Sequence, residues 1–254
     1  MNNLYDQALA NMESTVNLLV SRVPPPKRAT FKEGFNFRYV EKTIYQALVQ
    51  KLARLLSSLH AARLLMEHGF VQEQASLQRM LDEMQEDITF LSYSIIFNDT
   101  TPQHQAYLDA FFQEEFDADS ALESTQKRPM VPRKKIHAYI ARIGSTKMSF
   151  TSDVEVARTV SKVYSGYIHA ASPQIMDMYG GNPPHFHVRG MLGTELHHDH
   201  RADLWNCFYR SIIAFSFTAK AFGDEELFTQ ISNFTRKFAI LSGKNYVSTE
   251  WGET

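Results

Sequence analysis

Arg79, Glu83 and Asp87 recur at steps of four within the segment Leu77 to Asn98. On a helix that interval makes a polar row beside the apolar one. Ser161, Ser165 and His169 form a second row at the same interval later in the chain. An arginine can hold phosphate or carboxylate, a carboxylate can orient an imidazole, and a histidine can move a proton near neutral pH. If the two rows meet across an interhelical cleft, Arg79, Glu83, Ser165 and His169 make a polar pocket for a small anion or nucleotide. Its leading reading is a regulatory binding protein. In the enzymatic alternative, a metal-independent endoribonuclease acting on single-stranded RNA, Arg79 holds phosphate, His169 transfers the proton, and Glu83 or Asp87 fixes the imidazole. A structural reading uses the same residues, because charges enclosed between helices satisfy one another and an orphaned one is costly. Ser165 and His169 share a helix and do not amount to a serine triad.

His185, His187, His197, His198 and His200 are the densest group of metal-ligating residue types. A zinc or iron site needs three or four donors to converge, with Asp177, Glu195 or Asp199 available to complete it. Spacing alone leaves three readings open: a histidine-rich metal-binding protein, a part of another pocket, and structural or solvent-facing histidines. No cofactor is predicted. Lys127, Arg128, Arg133, Lys134 and Lys135 surround two prolines and are the local electrostatic candidate for an anionic partner such as RNA, against a solvated linker or a contact to the preceding acidic segment. Cys207 is the single cysteine, which excludes an internal disulfide framework and a four-cysteine zinc knot. Its neighbours Leu204, Trp205 and Phe208 predict a buried thiol.

The elements that must position these residues are helical. With 44% hydrophobic and 21% charged residues, the chain of 254 reads as a folded globular protein, and its formal charge of -2 gives no whole-chain attraction to nucleic acid or anionic membrane. No apolar run is long enough to span a membrane. Asp6 and Glu13 occupy the place where a secretory signal would be basic and then apolar, so cytoplasmic residence is expected.

The predicted architecture is all-α, an irregular multi-helix bundle with a Pro/Gly/His-rich loop between late helices, in one helical domain over 1–254. Residues 1–37 are read as a helix and a connector. The helix ends at Pro24, Pro25 and Pro26, and the connector carries Phe31, Phe35 and Phe37, expected to pin it to the core rather than to bind a base. Residues 38–98 form a long helical hairpin: Ile44, Leu48, Leu52, Leu55 and Leu59 line one helix, Gly69 stops it, and Leu81, Met84, Ile88 and Leu91 line the next. Residues 99–151 supply peripheral helices and the basic connector. Residues 152–254 hold the C-terminal helices and the histidine-rich excursion, starting from a capping box at Ser152 and Glu155. The last segment, with Trp251, docks on the bundle or forms a homo-oligomer contact.

Arg63 and His68 have the Arg-x4-His spacing that resembles the ribonuclease motif of HEPN proteins, although five residues turn the two side chains well apart on a regular helix. Arg79-x3-Glu83 and Ser165-x3-His169 resemble pieces shared by an uncharacterised group of bacterial all-helical proteins, itself distantly like the HEPN class. The resemblance spans Tyr39 to Phe238. It implies a helical fold, and RNA cleavage does not follow from it.

Overall fold

The computed structural model describes residues 1–31, 34–114, 118, 120, 122–125, 129–144 and 164–244. Among these the chain is an irregular bundle of α-helices with two small β-hairpins attached. Helix α1 (Asn2–Val20) buries Tyr5, Leu9, Met12 and Leu19, one face of a 3.6-residue period. The proline run follows. Strands β1 (Lys27–Phe31) and β2 (Gly34–Arg38) then pair antiparallel, with Arg28 opposite Phe37 and Thr30 opposite Phe35.

The ribbon corrects the expectation of a connector pinned by its aromatics. Phe35 and Phe37 are 49% and 57% exposed. Period-two alternation sends both rings to one side of the strand, and the opposite side, with Ala29 and Asn36, is the half-buried one.

Helix α2 (Ile44–Glu67) begins where the Thr43 hydroxyl accepts from the Tyr45 amide, which satisfies one free donor of the first turn. Leu48, Leu52, Leu55 and Leu59 are fully buried along its inner face. Each such side chain contributes about 1.5–3 kcal/mol by leaving water. Gly69 at φ +76° reverses the chain, and α3 (Val71–Ile96) runs back antiparallel, as the cross-contacts Lys51 to Asp87 and Arg54 to Met80 require.

Helices α4 (Pro102–Phe111) and α5 (Arg133–Gly144) flank this pair. Residues 164–168 form a helical turn, followed by α6 (Ser172–Met176), the hairpin β3 (Tyr179–Gly180) and β4 (His185–Phe186), and α7 (Glu195–Asp199). The long α8 (Arg201–Ala221) packs on α3, and α9 (Glu225–Leu241) packs on α8. Trp205, Phe208, Phe215 and Phe238 fill the space between them. Cys207 is buried there as expected, and burial raises its thiol well above the ordinary range.

The histidine-rich excursion is laid directly on the α2–α3 turn. Met191 N donates to Gly69 O at 2.7 Å, His197 Nε2 to Met66 O at 2.9 Å, and Gln72 Nε2 to Gln174 O at 2.6 Å. A Cβ on Gly69 would stand 2.5 Å from Leu192 N, and one on Gly190 would stand 2.4 Å from His68 O. Both approaches need glycine. Ser152, Glu155, Ser161, Lys127, Arg128 and Trp251 lie outside the described residues.

Candidate functional site

Helix α3 carries many of the buried polar groups of the bundle, among them Gln78, Asp82, Gln85 and Asp87. Toward α8, Gln85 Nε2 donates to Cys207 O at 3.0 Å and to Ser211 Oγ at 2.8 Å. Gln78 bonds Asp82 at 3.1 Å and accepts from the Cys207 thiol, while Arg210 pairs with Asp82. Burial raises the Asp82 carboxyl above its ordinary value although Arg210 opposes the shift.

Toward α5 and α2 lies a denser charged cluster. Arg133 donates to both Glu86 and Asp87 and to Glu83 O at 3.1 Å. Asp87 also takes Lys51 Nζ at 2.8 Å and the Tyr107 hydroxyl at 2.6 Å, and Glu86 takes His137 Nε2 at 2.8 Å. Burial would lower the Arg133 guanidinium, but Asp87 and Glu86 outweigh it and hold Arg133 above its usual range. Burial likewise favours the neutral Glu86, and the His137 hydrogen bond with the Arg133 charge reverses that and leaves it below its ordinary value. Arg133 is therefore an interior counter-ion. The reading that placed it on a basic surface patch is corrected, although Lys134 and Lys135 beside it are exposed.

Among the residues first singled out, Arg79 Nε and Glu83 Oε1 lie 3.3 Å apart on the partly exposed side of α3. Asp87 faces the Lys51, Tyr107 and Arg133 cluster instead. Each four-residue step along a helix rotates by about 40°, so Asp87 is turned roughly 80° from Arg79. Ser165 is half-buried and His169 exposed. Their turn approaches α3 and α8 through Tyr164, whose hydroxyl is raised first by burial and then by the nearby Asp203 and Asp82 carboxylates. Arg63 bonds Asp6 at 2.5 Å and Glu67 at 2.8 Å, and His68 Nδ1 lies 2.8 Å from its own helix's Leu64 O.

The five histidines divide among separate tasks. His185 and His187 stand side by side, rings 4.5 Å apart, on the second hairpin, with His185 Nδ1 2.9 Å from Pro183 O. His197 is fixed by Met66 O, which makes Nε2 its donor nitrogen. His198 is exposed. His200 Nδ1 lies 2.9 Å from Asp203 Oδ2 without hydrogen-bond alignment. Among the described residues no three His, Cys, Asp or Glu side chains are grouped to hold a metal ion.

A second feature had no signal in the sequence. At one end of the bundle a cleft of about 680 Å³ opens between the start of α1, the end of α2, α7, the start of α8 and the segment after α9. Arg63, His198, Arg201 and Lys244 line it, with Glu67 as the acidic wall residue. Arg201 makes no ion pair among the described residues, and Lys244 Nζ stands 4.4 Å from the centre of the Trp205 ring. The Tyr5 hydroxyl borders the space and is pushed up to about 12 by burial and Cys207, with Arg201 and Arg63 opposing. These residues come from chain segments far apart, so only the tertiary fold assembles them.

No protein-family model, curated protein or solved structure matches this chain. No helix among the described residues is long and apolar enough to cross a membrane.

Proposed function

We propose that the protein is a regulatory binding protein for a small phosphorylated or carboxylated metabolite of about mononucleotide size, seated in the end cleft. The observation that carries this is the convergence of Arg201, Lys244, Arg63 and His198 on one space from four separate elements. Its volume falls in the range of about 300–1,000 Å³ usual for small-molecule pockets. Arg63 is already neutralised by Asp6 and Glu67, so Arg201 and Lys244 supply the charge and Arg63 a preset donor. Trp205 and Tyr5, both buried, line the cleft beside those cations. Ligand bound there would tie α1, α2, α8 and the chain after α9 together, which is a route from occupancy to a change in rigidity.

The test is thermal unfolding with inorganic phosphate, AMP, ATP and citrate as probes. A probe at one hundred times its Kd stabilises by about 2.7 kcal/mol. That corresponds to a rise of roughly 5–10 °C in Tm for a chain of this size. The Arg201→Glu/Lys244→Glu variant should unfold at the same temperature without probe and show no rise with it. No response of the unsubstituted protein to any of the probes, or an undiminished response of the variant, refutes the assignment.

A further inference from the structure

Among the described residues, one face of the β1–β2 ribbon has no covering. Arg28, Thr30, Phe35 and Phe37 lie on it, and all four are exposed. The two phenyl rings stand edge to face with centroids 5.5 Å apart, and the Arg28 guanidinium carbon sits 4.3 Å from the centre of the Phe35 ring. Arg28 pairs with no carboxylate among the described residues, and Lys27, across from Arg38, belongs to the other face. The opposite face is the anchored one: Ala29 and Asn36 are half-buried, and Arg38 makes a two-pronged contact with Glu114 at 2.8 and 2.9 Å. The ribbon is therefore oriented, with its aromatic side held outward. Two phenylalanines half in water give the fold little, and a two-stranded hairpin by itself is only marginally stable.

We propose that this face binds single-stranded nucleic acid, with unpaired bases stacking on Phe35 and Phe37 and the phosphodiester backbone met by Arg28. Aromatic rings set among cations are the arrangement that sequence-tolerant single-strand binding uses, because every base has a π face and every linkage a negative charge. A second copy fits the face less well: two-fold pairing of identical ribbons would bring Arg28 against its own counterpart. The site is separate from the end cleft and shares no lining residue with it.

The experiment is fluorescence anisotropy of the full chain with labelled oligouridylate and oligodeoxythymidylate of about ten nucleotides, a typical single-site length. Binding should weaken as salt rises. Phe35→Ala/Phe37→Ala should raise Kd tenfold or more, Arg28→Glu should do so by a similar factor, and Arg201→Glu should leave it unchanged. Circular dichroism melts of the first two variants should match the parent, since the replaced groups lie at the surface. The proposal is overturned if the parent binds neither oligonucleotide, if the phenylalanine variant binds equally well, or if duplex of the same length binds better. Sedimentation showing a dimer that Phe35→Ala/Phe37→Ala dissociates would also overturn it and give the face to self-association.

Discussion

Replacing Arg133 with methionine separates an interior counter-ion from a surface charge. The guanidinium lies among Glu86, Asp87 and Glu83 O, and the two carboxylate side chains are 18% and 11% exposed. Removing one partner of a buried pair costs about 3–5 kcal/mol, because the charge left behind has lost its compensation. Here Asp87 keeps Lys51 and Tyr107, and Glu86 keeps His137. The expected loss is thus near the low end, about 3 kcal/mol, or roughly 6–12 °C in Tm. Urea unfolding followed by the buried Trp205 should show a lower midpoint at an unchanged slope. pH supplies a second reading. Glu86 is depressed in the folded state, so its contribution is present above its ordinary value of 4.5 and disappears as pH falls through the folded value. The gap between parent and Arg133→Met should accordingly close in acid. A change below about 0.5 kcal/mol at pH 7, the size expected of a solvated surface substitution, would refute the interior assignment.

Other substitutions probe other parts of the frame. Gly69→Ala combines φ +76° with a Cβ driven into the backbone at Leu192, and should cost at least about 2 kcal/mol in chemical denaturation. His104 is buried against Phe90 with its ring centre 3.9 Å away, and burial lowers it below the ordinary 6.5. The unfolded chain then takes up the proton first, so stability falls as pH drops through 6.5. His104→Asn should lose less stability than the parent between pH 7.5 and pH 5.5, the two values at which melts are compared. Asp82 has the opposite sign to Glu86: its raised carboxyl costs stability at neutral pH and ceases to do so in acid. Asp82→Asn should therefore change the unfolding free energy at pH 7 by less than about 1 kcal/mol in either direction, whereas a large loss would mean that the Arg210 pair outweighs desolvation.

The long helices were legible because each repeats large apolar residues every three or four positions, and reversal at Gly69 is local chemistry. The β1–β2 ribbon was missed although both strands alternate. Five-residue strands next to three prolines and a glycine read equally well as a connector, and nothing local says which side of Phe35 faces water. Arg79 and Glu83 were legible as an i, i+4 pair, but extending the row to Asp87 ignored helical drift. Arg133 sits in a run of basic residues that looks solvated until α5 is laid against α3. The end cleft is the extreme case, since Arg63, Arg201 and Lys244 have no common pattern along the chain.

The amide and carboxyl groups that α3 presents to α8 bear on how the bundle finds its alignment. Leucine faces are forgiving: sliding one helix along another by a turn exchanges one apolar neighbour for the next at small loss. Such a slip would take Gln85 away from Ser211 and the Cys207 carbonyl, and Asp82 away from Arg210, leaving dry polar atoms on both helices. These residues work as a notch and pin, admitting one seating of α3 against α8 among several that grease alone would accept.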